Sequence, residues 1–330
     1  MLRLPRFGVQ SPETLEDAVT ALAEPGARLV AGGTDILPNL KHRLDEPPTL
    51  VSLSRVRSLR EVSEKDGMLV IGAGVTLTEL SEHPRVVELF PSLAYAAGVI
   101  ASPLIRNMGT LGGNVNLDTR CRYVNQTHFW RTAIGGCLKA KGNVCHVVPK
   151  GRLCVAAMSS DLVPVLGSLA ATLVNQGPQG PRELPLLEYY GPDGTKHIKR
   201  LDGEVTREVR VPIPKGATRA RYAKWTVRKS IDFPLVSVAL RFDLASDSVD
   251  AEVTGVSVVV GVLGSKPRAL TRLDDVLGQT LSDPATAEMV AERAYAQCKP
   301  LENVPYEAPY RRQMIRVHTL RAIEAIIAAG

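Results

Sequence analysis

Leu29-Val30-Ala31-Gly32-Gly33-Thr34-Asp35-Ile36 sets a short apolar strand against a Gly-Gly turn with a hydroxyl and a carboxylate behind it. Glycines at such a turn let the backbone approach a ligand closely, and consecutive free N–H groups can cradle a pyrophosphate. The spacing is not G-x-G-x-x-G, which argues against a nicotinamide-binding Rossmann fold. Further on, Thr110-Leu111-Gly112-Gly113-Asn114 offers the same backbone chemistry with a hydroxyl and an amide added. Each loop alone is also what a plain turn would use. Two of them flanking one αβ region suggest a dinucleotide, which needs grip along its length.

Outward from these loops, Ser11-Pro12 reads as the cap and first residue of a helix carrying Leu15, Ala18, Val19 and Leu22 on one face and ending at Gly26. Strands are expected at 29–31, 49–53 and 68–73. Thr76 and Glu79 form a capping-box pattern, and helical periodicity then runs to Ile100, interrupted at Pro84 and Pro91. Residues 161–170 read as helix and 207–213 as strand. From about Thr218 the texture changes: β-branched strands at 222–228, 235–242 and 253–262 suggest an antiparallel sheet, and helices follow at 270–277, 284–298 and 310–329. In the last, Met314, Val317, Leu320, Ile323 and Ile327 form an apolar seam, with Arg311, Arg312, Arg316 and Arg321 read as its solvated face. A domain boundary is placed between residues 214 and 218.

The 330 residues suggest two domains, and 45% apolar with 22% charged residues is the balance of a globular protein with a sizeable core. No secretory h-region opens the chain, and the longest apolar run, 256–264, is far short of a membrane span, so a cytoplasmic address is expected. The net charge of +6 is local. Between Val115 and Ala157 lie seven cations (Arg120, Arg122, Arg131, Lys139, Lys141, Lys150 and Arg152) against the single acid Asp118, while the remainder of the chain balances.

That basic segment also holds four of the five cysteines, Cys121, Cys137, Cys145 and Cys154, with gaps of fifteen, seven and eight residues. Neither the close pairs of a zinc ribbon nor the tight run of a ferredoxin is present. Zinc, an iron–sulfur cubane and unrelated buried thiols all fit the spacing. The cations lean toward a cluster, whose thiolate-ligated core is anionic, rather than toward nucleic acid. His128 and His146 lie nearby as supporting or surface groups, and Cys298 reads as a small buried hydrophobe.

Taken together, these loops resemble the FAD-binding medium subunits of the xanthine oxidase family of molybdenum hydroxylases, over essentially the whole chain. Leu29, Val30, Ala31, Gly32, Gly33, Thr34, Asp35 and Ile36 are similar to that family's first FAD loop; Thr110, Gly112, Gly113 and Asn114 are similar to its second. Asp161 resembles an acidic position that contacts the FAD, Ile100 an apolar position near the flavin, and Lys224 a lysine at the flavin. Within the family, the segment 115–157 resembles the insertion of 4-hydroxybenzoyl-CoA reductase β subunits, through Asp118-Thr119-Arg120-Cys121, Gly136-Cys137-Leu138-Lys139 and Cys145-His146-Val147. A related bacterial aldehyde oxidoreductase has an insertion less like this one.

The resemblance implies an α+β fold: a p-cresol-methylhydroxylase-type FAD-binding domain of two α/β parts over residues 1–214, with an iron–sulfur loop insertion at 115–157, then a C-terminal domain over 218–330 of the CO dehydrogenase flavoprotein type. It implies FAD and a [4Fe-4S] cluster held by Cys121, Cys137, Cys145 and Cys154, and no catalytic residue of the chain's own. The expected role is electron transfer in a 4-hydroxybenzoyl-CoA reductase-like enzyme, with an aldehyde or heterocycle oxidoreductase as the alternative. Expected partners are a molybdenum-cofactor large subunit and a [2Fe-2S] small subunit in a heterohexamer of two heterotrimers, fed by a ferredoxin-like carrier that docks on the basic insertion. Nucleic acid and membrane are not expected partners. A zinc-stabilised basic module without redox activity is the rival of another class.

Overall fold

A computed structural model describes residues 2–329. The chain opens with β1 (Gly8–Gln10), α1 (Leu15–Leu22), β2 (Arg28–Val30), α2 (Ile36–Lys41) and β3 (Thr49–Ser52). β1 and β2 flank β3, both parallel to it. Leu15, Ala18 and Val19 of α1 are buried with Val51 and Val56. The helix starts a turn later than expected. Thr14 is its cap, accepting from the Asp17 amide, and Glu16 and Asp17 suit the positive end of the first turn better than Ser11-Pro12 would.

Next come β4 (Val62–Lys65), β5 (Met68–Gly72), α3 (Leu77–Glu82), α4 (Pro84–Leu89), α5 (Pro91–Gly98), α6 (Pro103–Arg106) and α7 (Leu111–Val115). The Thr76–Glu79 capping box forms as expected. Pro84 and Pro91 each occupy a first helical position, so the long periodic stretch becomes three short helices set at angles. After the insertion, α9 (Leu162–Ser168) leads into β6 (Thr172–Gly177), β7 (Gly180–Pro185) and β8 (Val205–Pro212). These strands complete a five-stranded antiparallel sheet of order β4-β5-β8-β6-β7. The largest core lies between this sheet and α3, α5 and α9, built from Leu69, Ile71, Leu80, Leu93, Leu162 and Val209 among others. The mixed α/β character stands, although only the first part is a parallel α/β unit.

The insertion, residues 115–157, is a loop with one short helix, α8 (His128–Ala133). Beyond residue 217, β9 (Thr218–Trp225), β10 (Val236–Leu244), β11 (Val253–Gly261) and β12 (Arg268–Ala269) form an antiparallel sheet of order β12-β11-β10-β9, as its texture predicted. It is covered by α10 (Pro284–Gln297) and α11 (Ala308–Ile327). Val238, Leu240 and Phe242 of β10 are fully buried, each contributing roughly 1.5–3 kcal/mol of apolar burial. Cys298 caps α10 within this core.

Two expectations fail here. Residues 270–277 are not a helix. Leu270, Leu273 and Val276 recur every three residues, and the backbone forms only a 3-10 turn at Asp274–Val276. On α11 the buried stripe is Arg311, Ile315, Thr319, Ala322, Ile323 and Ile326, rotated from the expected seam. Arg311 is 0% exposed. Its guanidinium donates to the carbonyls of Leu235, Leu301 and Val262 and to Asn303 Oδ1, and burial pulls its pKa down to about 10.

Candidate functional site

The two glycine loops are in contact. Gly32 lies so close to the Met108–Gly109 backbone that a Cβ there would run into the Met108 carbonyl, and a Cβ on Gly109 would stand 3.4 Å from Thr34 Oγ1. Gly33 has φ +73°, the left-handed region where glycine carries no steric penalty. The chain therefore turns sharply after β2 and enters α2. From Gly32 to Ile36 no backbone N–H donates to another protein group among the described residues, and all five residues are half-buried. Five successive backbone donors without a protein partner are available to anionic oxygens. The geometry fits a pyrophosphate.

The second loop differs from its expectation. Leu111 N–H donates to Val75 O (2.9 Å), Gly112 N–H to Ala73 O (2.8 Å) and Gly113 N–H to Thr110 Oγ1 (3.0 Å), so it lays its amides on the neighbouring chain instead of cradling a ligand. A Cβ on Gly112 would stand 2.7 Å from that of Ala73, which is why glycine is needed there. Asn114 is buried, and its Oδ1 accepts from Ser160 Oγ (2.6 Å) and the Leu162 amide (3.3 Å). Its Nδ2 donates to no protein group among the described residues.

Asp161, next to Ser160, is 2% exposed and accepts from Tyr222 Oη (2.7 Å) and from Lys224 Nζ (3.0 Å). Lys224 Nζ also donates to Val99 O (3.1 Å), beside Ile100. Burial pushes the Asp161 carboxyl pKa up, while Lys224 and the Tyr222 hydroxyl pull it back down. Thus Ile100, Asn114, Asp161 and Lys224, drawn from four separate stretches of sequence, are joined by one chain of buried hydrogen bonds and neighbouring backbone.

Three further groups escaped the sequence reading. Tyr222 completes the Asp161–Lys224 pair. Arg120 forms an ion pair with Asp35 and lies over the Phe233 ring, 4.6 Å from its centroid. Arg131, 4% exposed, donates to His42 O (2.5 Å) at the C-terminal end of α2. A tyrosine in a strand and arginines in a basic loop carried no local signal that set them apart.

Cys121, Cys137, Cys145 and Cys154 line one small pocket together with Tyr123, Lys139 and His146. His146 stacks on Tyr123 and bonds to Gly136 O (2.6 Å), while His128 is exposed at the start of α8. Burial pushes the Cys121 thiol up, and that of Cys154 to about 11. Yet among the described residues no group of three or more His, Cys, Asp or Glu side chains is placed to hold a metal ion.

Residues 5–214 match the family described as the FAD binding domain in molybdopterin dehydrogenase, and residues 221–326 match the CO dehydrogenase flavoprotein C-terminal domain. The chain belongs to this family of FAD-binding medium subunits of molybdenum hydroxylases. It is 28% identical over 326 residues to the carbon monoxide dehydrogenase medium chain of Hydrogenophaga pseudoflava, covering 97% of each chain. To the FAD-binding subunit of an Escherichia coli aldehyde oxidoreductase it is 35% identical over 234 residues, 68% of this chain and 73% of that one. In fold it matches a solved carbon monoxide dehydrogenase from H. pseudoflava at a TM-score of 0.79 and 24% identity, over 99% of both chains.

These findings correct the cofactor expectation. The matching family is described by FAD, and the four thiols are not placed as a metal-holding group, so the [4Fe-4S] cluster assigned to Cys121, Cys137, Cys145 and Cys154 is withdrawn together with the zinc alternative. The physical reason lies in the cations that had suggested an anionic core. Arg120 is paired with Asp35, and Arg131 binds backbone carbonyls. Lys139 binds Asp118 (2.6 Å), Thr119 (2.8 Å) and Gly194 O (2.5 Å), and Arg122 reaches Val304 O (3.0 Å). Four of the seven hold the loop to the rest of the protein. Among the described residues no helix is long and apolar enough to cross a membrane.

Proposed function

We propose that this chain holds FAD within a molybdenum-dependent dehydrogenase complex and relays electrons between the substrate-converting chain and an outside carrier. The observation that carries the reading is the run of five free amides at Gly32–Ile36, set against the second glycine loop. Leu29, Val30, Ala31, Gly32, Gly33, Thr34, Asp35 and Ile36 would hold the pyrophosphate side. Thr110, Gly112, Gly113 and Asn114 would shape the opposite wall, with the Asn114 amide as its free donor. Ile100, Asp161 and Lys224 would lie toward the flavin end, their geometry held by Tyr222. Bound FAD would supply the redox chemistry, since a flavin exchanges one or two electrons; the chain's own residues bind and orient it. Residues 1–214 would form the FAD-binding domain and 218–330 the C-terminal domain.

Partners follow from what the chain lacks: among the residues singled out, none forms a centre for substrate chemistry. A molybdenum-cofactor large chain and a [2Fe-2S] small chain are proposed, as two heterotrimers, with a ferredoxin-like protein as outside carrier. The resemblance to 4-hydroxybenzoyl-CoA reductase β subunits concerns the 115–157 insertion alone. The relative at 35% identity is an aldehyde oxidoreductase subunit, which favours an aldehyde as the substrate of the complex. Natively purified protein should contain about one FAD per chain and copurify with a molybdenum-containing chain. Protein without flavin, or one that runs as a lone monomer, would overturn the proposal.

A further inference from the structure

The insertion reaches the proposed FAD loop at Asp35 and the far end of the helix that follows it at His42 and Arg43, in both cases through an arginine. Arg120 sits where the insertion leaves the fold. Its backbone is fixed by paired hydrogen bonds to Ala157, Arg120 N–H to Ala157 O (2.8 Å) and Ala157 N–H to Arg120 O (2.7 Å). From that base its guanidinium reaches Asp35, the N-cap of α2, and Asn39 Oδ1 (3.4 Å), while Asn39 Nδ2 donates to the same carboxylate (3.2 Å). Phe233 covers the guanidinium. Phe233 lies in the loop whose Ile231 amide donates to Ala101 O (2.9 Å), next to Ile100.

Arg131 works at the other end of the same helix. It donates to the carbonyls of His42, the C-cap of α2, and of Arg43 just beyond it, and is held from behind by the carbonyls of Val124 and Gln126. A six-residue helix is too short to be stable by itself, so α2 takes its position from what grips its ends. Gly32, Gly33 and Thr34 run directly into it.

We infer that the 115–157 insertion is a brace for the FAD loop: Arg120 and Arg131 clamp α2 at its two ends and thereby hold the free Gly32–Ile36 amides in place. Arg120 and Arg131 are positioning residues; they act through Asp35, Asn39 and the α2 carbonyls without needing to touch the cofactor. This rests on the proposal that FAD binds at Gly32–Ile36. It also gives the insertion a role that needs no metal.

The test uses the full chain in its native complex and follows FAD release by the rise in flavin fluorescence, alongside hydrogen exchange of residues 32–44. Arg120→Gln should speed FAD release by about tenfold or more and raise exchange in that segment, with exchange across β9–β11 unchanged. Arg120→Lys keeps the charge without the planar fork and should fall between. Because Arg120 acts through Asp35, Arg120→Gln combined with Asp35→Asn should release FAD no faster than the worse single variant. Arg131→Met should give the same local signature from the other end. If Arg120→Gln does not fold, the Arg120→Lys comparison decides. Unchanged release in Arg120→Lys and Arg131→Met, or additive effects in the double variant, overturns the brace. A complex whose FAD release is unchanged by Gly32→Ala overturns instead the site on which it rests.

Discussion

Replacing Lys224 by Met strips the buried Asp161 carboxylate of its only cationic partner among the described residues. Asp161 is 2% exposed and would keep one hydrogen bond, from Tyr222 Oη at 2.7 Å. Removing one member of a buried pair leaves an uncompensated charge and typically costs about 3–5 kcal/mol at neutral pH. The loss should depend on pH. Burial already raises the folded-state pKa of Asp161, and Lys224 is one of the groups holding it down, so Lys224→Met raises it further. A carboxyl whose folded pKa lies above its unfolded value binds its proton more tightly in the fold. Its favourable contribution is present at low pH and is lost as pH rises through the raised value. The gap between wild type and variant should therefore widen from pH 5 to pH 8, by at most about 1.4 kcal/mol per pH unit. Urea unfolding of the flavin-free chain at several pH values measures it. The double variant Asp161→Asn/Lys224→Met, with no charge left to bury, should recover most of the loss. A loss below about 1 kcal/mol at pH 7, or one that is equal at pH 5 and pH 8, refutes the reasoning.

Gly32→Ala should drive the two glycine loops apart and abolish FAD binding in a flavin titration of the apo-protein; Gly33→Val, at φ +73°, adds backbone strain of roughly 1–2 kcal/mol and should weaken it. Thr76→Ala, which breaks the capping box of α3, should lower stability by about 1 kcal/mol in urea unfolding and leave flavin affinity unchanged. Arg311→Met should destabilise the chain by more than about 2 kcal/mol, since it unpairs two buried carbonyls and one half-buried one at once. Burial pushes the Cys298 thiol up to about 12, so it should resist alkylation at pH 8 until the chain unfolds, as mass spectrometry would show.

What could be read ahead of the structure was whatever leaves a local or periodic trace. Thr76 and Glu79 stand three apart and cap a helix by short-range hydrogen bonds, so the pattern and the structure coincide. Pro84 and Pro91 act on their own turn, and the β-branched runs after residue 218 pair as an antiparallel sheet because alternation survives in each strand. The failures share a cause. Leu270, Leu273 and Val276 look helical in a short window, but their spacing of three suits a 3-10 turn. Arg311 looks solvated because arginine usually is. Its burial depends on carbonyls at Leu235, Val262 and Leu301, far off in sequence, that converge only in the folded chain.

The insertion shows the same limit where it matters most. Counting charges over residues 115–157 treats seven cations as one field in search of an anion, and four neighbouring thiols then supply a candidate. The fold assigns the cations one by one. Arg120 and Arg131 grip α2, Lys139 ties the loop to Gly194, and Arg122 ties it to the C-terminal part at Asn303 and Val304. Each contact spans dozens of residues in sequence, so composition could register that the charge was concentrated but not what it faced. Among the described residues, only Lys141, Lys150 and Arg152 of the seven are exposed with neither an ion pair nor a side-chain hydrogen bond, whereas Arg122, also exposed, is tied to Val304 O. An acidic carrier that docks on this loop would therefore meet three unengaged cations, not seven. Reversing Lys141 and Lys150 to Glu should slow reduction by such a carrier at low salt, while Lys139→Glu should damage the loop itself and lower its protection from hydrogen exchange. If Lys139→Glu slowed the carrier without loosening the loop, the division between structural and docking cations would be wrong.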